Sequence, residues 1–156
     1  MIDFCWQLHS RPNDECLFIK GNSIETVKVI FDKANVINFK DYNPLEFETS
    51  NKARLNECKY RYNQHSRVKK YVLRKQYLES YAYYNRYVLE PLIDLLRLIY
   101  TPANTDYYLI HISHHLPQSE VSKLEFFAKI TSVKDIEERI TLAEKWFGEL
   151  LERLDR

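Results

Sequence analysis

The chain has almost no glycine: two residues, against the roughly 7 % of average usage. Tight turns and phosphate-cradling loops lean on glycine, so a self-contained nucleotide-binding fold built on a glycine-rich loop is not expected. Cysteine is also sparse. Cys5, Cys16 and Cys58 are odd in number and share no CxxC spacing, which argues against a disulfide framework and for reduced thiols in a cytoplasmic setting. No apolar run approaches the roughly 20 residues of a membrane span and no signal peptide is recognisable, so no membrane association is expected. Charge excess is missing too: 23 basic against 22 acidic side chains leave +1, with no global field to draw in nucleic acid.

What is present is aromatic and helical. Twelve tyrosines and eight phenylalanines in 156 residues supply a core for one domain-sized body. Within residues 68–100, Val68, Tyr71, Val72, Leu78, Tyr81, Ala82, Val88, Leu89, Leu92, Leu96 and Ile99 recur at spacings of three and four, which predicts one long helix around which the rest is organised. Lys69, Lys70, Arg74, Glu79, Arg86, Glu90, Asp94 and Arg97 fill the other positions, most of which are expected to meet water. Pro91 interrupts the pattern. Its missing N–H and its clash with the carbonyl of Tyr87 predict a kink or two abutting helices.

Residues 1–40 have a different texture. Ile2, Phe4 and Trp6 alternate with Asp3 and Cys5 as in a strand, and the β-branched residues at 26–31 predict a second. Residues 11–14 and 21–23 read as turns. Residues 51–67 give a weak helix, with a break near Ser66. A turn at 101–105 precedes a short helix over 106–115, capped by Asn104 or Thr105 and ending before Pro117. Another helix spans 119–130, with Val121, Leu124, Phe127 and Ala128 buried. A final one begins at a capping box of Ser132 and Asp135, and its stripe is Ile136, Ile140, Ala143, Phe147, Leu150, Leu151 and Leu154. The expected fold class is α+β, mostly α: a partial N-terminal sheet in residues 1–45, then a bundle of four to five helices in 46–156.

Several side chains are candidates for chemistry. His111, His114 and His115 stand at i, i+3 and i+4, a zinc-compatible spacing without the further ligand such sites require. They read first as polar residues at a helix end. Tyr81 and Tyr84 are expected in the core. Tyr83 and Tyr87, four apart beside Arg74 and Arg86, suit either packing against a neighbouring helix or the wall of a substrate cleft.

The order of elements, a strand with Ile2, Asp3 and Phe4, then residues 29–33, then a bundle with Leu92, Asp94, Arg97, Tyr100, Pro102, Leu116, Pro117, Trp146 and Phe147, resembles a known family. It is similar to the back half of small nucleotidyltransferases of the DNA polymerase β superfamily, the group related to aminoglycoside nucleotidyltransferases. That resemblance implies transfer of a nucleotidyl group from a nucleoside triphosphate to an acceptor. A Gly-Ser loop, an Asp-x-Asp pair and a third carboxylate hold the nucleotide and magnesium in such enzymes. Asp3 stands in the place of the third carboxylate, as catalytic residue and metal ligand. The first two have no counterpart, because Gly21, Asn22 and Ser23 follow the Asp3 strand and no Asp-x-Asp occurs.

The resemblance therefore implies a truncated or incomplete member, inactive alone. Mg2+ would be bound only if a partner chain or a homo-oligomer supplied the missing carboxylates. The helical domain lines the acceptor pocket in aminoglycoside-modifying relatives, so the resemblance implies that Glu79 or Glu90 meets a cationic substrate; with Tyr83, Arg86 and Tyr87, read above as a cleft wall, Glu79 makes up the expected substrate-binding set. A second resemblance, to HEPN-type bundles, rests on Arg61 and His65. Three residues separate them, one short of the usual nuclease motif, and the pair lies early in the bundle. The alternative function is thus a non-catalytic helical interaction module that binds a partner protein.

Overall fold

A computed structural model of the chain describes residues 12, 17–20, 24, 27–33 and 35–155. They belong to two units, Met1–Asn43 and Pro44–Arg156. The expected strand at residues 1–6, Asp3 with it, and the turn at 21–23 lie outside the described residues.

In the first unit, strands β1 (Leu17–Lys20) and β2 (Asn38–Asp41) pair in parallel, Leu17 opposite Asn38 and Lys20 opposite Asp41. Phe18 and Phe39 sit side by side on this ladder, ring centroids 6.1 Å apart. The expected strand at 26–31 is not observed in its described part. Val27, Val29 and Phe31 have no regular structure, and Ile30 and Phe31 are exposed. Parallel strands need a long crossover, and this β-branched stretch belongs to it. Asp32 then turns the chain into β2, its carboxylate accepting the N–H groups of Val36 (3.1 Å) and Ile37 (3.0 Å).

The second unit is a helical bundle, so the chain is α+β and mostly α. Its helices are α1 (Glu48–Tyr62), α2 (Ser66–Leu73), α3 (Tyr77–Tyr84), α4 (Glu90–Tyr100), α5 (Ile112–His115), α6 (Gln118–Ala128) and α7 (Val133–Leu154). The break near Ser66 is present. The single helix over 68–100 is not. Its first interruption is a Schellman turn closing α2, in which the Lys75 N–H donates to Val72 O (2.9 Å) and the Gln76 N–H to Tyr71 O (3.1 Å). That turn requires a left-handed residue, and Lys75 takes it with φ 55° where glycine is usual. The break resets the helical phase. Leu78, Tyr81 and Ala82, expected on the buried face, are therefore exposed, while Ser80 and Tyr84 go inside.

The second interruption is a π-turn, Asn85–Leu89, just before Pro91. The Glu90 N–H reaches back five residues to Asn85 O. Widening the helix one turn early is how the chain accommodates a proline within a continuous rod.

Helix α4 lies at the centre, packed by α1 and α7, and every residue from Pro91 to Leu98 is buried. Asp94 and Arg97, expected in water, are inside with the rest. The helix expected over 106–115 is reduced to a 3-10 turn (Thr105–Tyr107) and α5, because Tyr108 (φ 47°) and His111 (φ 52°) are left-handed. Helix α6 buries Val121, Leu124 and Phe127 but exposes Ala128.

Helix α7 follows its pattern closely. Ile136, Ile140, Ala143, Phe147 and Leu150 are buried, joined by Trp146, which stacks on Phe127 at 5.1 Å. At its start Ser132 Oγ accepts the Asp135 N–H (3.1 Å). Asp135 in turn accepts from Thr131 N and Oγ1 (both 2.8 Å), which holds its carboxyl down at about 2. Tyr84 locks α3 to α6 by donating to Phe127 O (3.0 Å).

Candidate functional site

Three residues of α1 and two of α4 build the site. Arg54, Glu57 and Arg61 share one face of α1, and Glu90 and Asp94 are one turn apart on α4. With Arg86 of the π-turn and Tyr108 of the 101–111 segment they line a cleft of about 290 Å³. Asp94 is 3 % exposed and Arg61 8 %, and their side chains are directly hydrogen-bonded. Arg61 also donates to Glu90 Oε2 (3.0 Å), which receives Arg86 as well (2.9 Å). Glu90 Oε1 takes the Asn85 amide at 3.3 Å, and the Arg54 guanidinium stands 3.5 Å from Asp94 Oδ1.

Burial pushes the Asp94 carboxyl above the ordinary carboxylate range, against the pull of Arg61 and Arg54. Both charges of the pair are nonetheless hydrogen-bonded, as a buried ion pair must be. Beneath them Cys58 donates its thiol proton to Pro91 O at 3.2 Å. Burial, then Asp94, push that thiol up to about 12, so it is an inert packing group and no nucleophile.

Tyr108 closes one side of the cleft. Its backbone has φ 47° and ψ −114°, a conformation that side chains other than glycine adopt only under strain. Burial, then the charges of Glu90 and Asp94, hold its phenol above the usual range against an opposing pull from Asn85. From below, the fully buried Arg97 donates Nε to Tyr108 O (2.8 Å) and Nη2 to Ile110 O (2.7 Å). Its Nη1 meets His115 Nδ1 at 3.0 Å and Thr101 Oγ1 at 3.4 Å. From the cleft side, Arg54 Nη2 donates to Thr105 O (2.6 Å).

Of the residues expected to bind substrate, Arg86 and Glu90 line the cleft. Tyr83 and Tyr87 instead join Tyr71 in a tilted ring ladder, centroids 4.6 and 5.5 Å apart, between α2, α3 and the π-turn. Glu79 is exposed on α3 and is not among the residues lining the cleft. Asp3 lies outside the described residues. Tyr84 is in the core, whereas Tyr81 is 44 % exposed.

The histidines do not assemble a zinc site: His115 is engaged by Arg97, and among the described residues no group of three or more His, Cys, Asp or Glu is placed to hold a metal. Arg61 and His65 serve different partners, Arg61 the cleft acids and His65 the Tyr62 carbonyl (2.7 Å). Arg54, Glu57 and Tyr108 were not singled out from sequence, and Asp94 was read there as facing water and as part of the resemblance, never as a site residue. The available signal was the pair Asp94 and Arg97 set among six apolar neighbours, a helix whose charges have no polar face to share.

No family model, curated protein or solved structure matches this chain.

Proposed function

We propose that the helical unit is the acceptor-holding part of a nucleotidyltransferase-like protein, with the cleft between α1, α4 and Tyr108 as the acceptor site. The observation that carries this reading is a convergence. The π-turn, the strained Tyr108 and the buried Arg–acid network all border one cleft, and π-turns and strained residues cluster where ligands are handled. Of the resemblance read from the sequence, the part carried by the bundle residues points the same way. In it, the nucleotide and Mg2+ are held by carboxylates that this unit does not provide, since the oxygens of Asp94 and Glu90 are already taken by guanidinium groups and an amide. Those carboxylates come from Asp3 together with a partner chain or a second copy that carries the Gly-Ser and Asp-x-Asp half.

Three experiments test this. Calorimetry of the chain alone with magnesium and a nucleoside triphosphate is expected to show no binding; a clear isotherm would mean that nothing is missing. Ligand-observed NMR with a library of small hydroxylated and amine-bearing molecules should yield binders that Glu57→Ala and Arg86→Ala weaken. These two rim residues are exposed, so both variants keep the fold. Binders indifferent to both changes would remove the cleft from the proposal. Within a reconstituted enzyme Asp3→Asn should abolish metal-dependent turnover, and unaltered turnover would take Asp3 out of the mechanism.

A further inference from the structure

We infer that Arg97 is a positioning residue for the cleft: from the interior it holds the 105–111 segment in the strained conformation that sets the Tyr108 ring at the cleft wall. This rests on the reading of the cleft as a ligand site. Tyr108 is the only aromatic side chain among the residues lining the cleft, so a ligand that meets a ring there meets one whose place is fixed by a group it never touches.

The geometry allows Arg97 little other work. A guanidinium with no solvent exposure stays in a core only if its donors are satisfied. Among the described residues no carboxylate does so: two of the acceptors are the carbonyls of the strained Tyr108 itself and of Ile110, two residues on, and the others are His115 and Thr101. An arginine serving only to fill space would be better replaced by an apolar residue. Backbone strain of this kind costs on the order of 1–3 kcal/mol and persists only where neighbours over-determine it. Two arginines do so, Arg97 below and Arg54 through Thr105 O. Arg54 also stands beside Asp94, so the segment is tied at one end to the ion network of the cleft and at the other to Arg97.

The test needs no ligand, so it fails or succeeds independently of the acceptor proposal. In the full chain with tyrosine labelled with carbon-13 at the ring ζ position, Tyr108→Phe identifies the Tyr108 signal. Its pH titration is then followed in Arg97→Lys and Arg97→Gln, alongside amide hydrogen exchange. In Arg97→Gln the Tyr108 hydroxyl should titrate closer to the ordinary value of about 10, and exchange in 105–111 should quicken about tenfold or more while α7 keeps its protection. Arg97→Lys should fall between. An unchanged Tyr108 titration in a folded Arg97→Gln chain, or protection lost equally from α7, would overturn the inference. Should Arg97→Gln fail to fold, Tyr108→Gly decides: it leaves Arg97 and the accepting carbonyl in place, and release of a held strain raises the melting temperature. A lowered one would mean that the ring is packed there for stability and is held by no clamp.

Discussion

Helices α7 and α4 treat charge in opposite ways. Along α7 the acids and bases at 137, 138, 144, 145 and 149 face water while the apolar stripe turns inward. Along α4 the interior takes Asp94 and Arg97 together with their apolar neighbours. The cause is position. A helix covered on one side sorts its residues by polarity, whereas α1, α7 and the segment after α4 leave α4 no such side. A charge on such a helix has to find a partner within the protein. Asp94 finds two arginines and Arg97 finds a loop.

The comparison breaks most sharply at Asp94. Asp94→Ala takes from Arg61 its most buried partner, leaving it the outer acids Glu90 and Glu57, and should cost about 3–5 kcal/mol by urea denaturation. Replacing both partners with apolar residues of similar size should restore most of that loss. Such a rescue would mark the pair as retained for something other than stability. On α7 the largest polar effect should be at its start, where Ser132→Ala loses the cap and costs about 1 kcal/mol. Lys75→Gly acts with the opposite sign: relieving the left-handed lysine should stabilise the chain by about 1 kcal/mol.

A smaller change concerns pH. Burial, then the Arg97 charge, lower the affinity of His115 for a proton below its ordinary 6.5, so the neutral ring belongs to the folded state. Its contribution is complete above 6.5 and is lost as pH falls through the lower folded value. His115→Gln should flatten the dependence of stability on pH over that interval. Least of all should Lys134→Ala matter, within about 0.5 kcal/mol, because its pair with Glu138 is exposed.

How far these features were legible in the sequence follows from the same contrast. Helix α7 was readable to its cap because its pattern, its serine and its solvent face agree. The break at Lys75 was not, since the residue that signals a Schellman turn is glycine and this chain uses lysine. Tyr108 and His111 hid the reduction of the helix before Pro117 in the same way. Glycine scarcity was read as a scarcity of tight turns; the turns exist, and side-chain-bearing residues make them at a cost in strain. The strand misread at 26–31 has another source. β-branched residues suit a strand only where a partner backbone lies alongside, and the pairing falls to 17–20 and 38–41. As for the cleft, Arg86 was reached from sequence because it stands beside aromatics, and Glu90 because it is an acid that could meet a cationic substrate. Arg61 was noticed for a different reason, and Asp94 was assigned to water because periodicity reports one helix at a time and says nothing of how many neighbours surround it.

The widened turn at 85–89 amounts to one surplus residue threaded into an otherwise regular rod. Removing a single residue from it would let α3 run straight into α4, swinging everything upstream by about 100° around the axis. Asn85 would leave Glu90, and Tyr84 would leave Phe127. A related chain shorter by one at this point must therefore either dock its first helices on a different side of α4 or do without the cleft altogether.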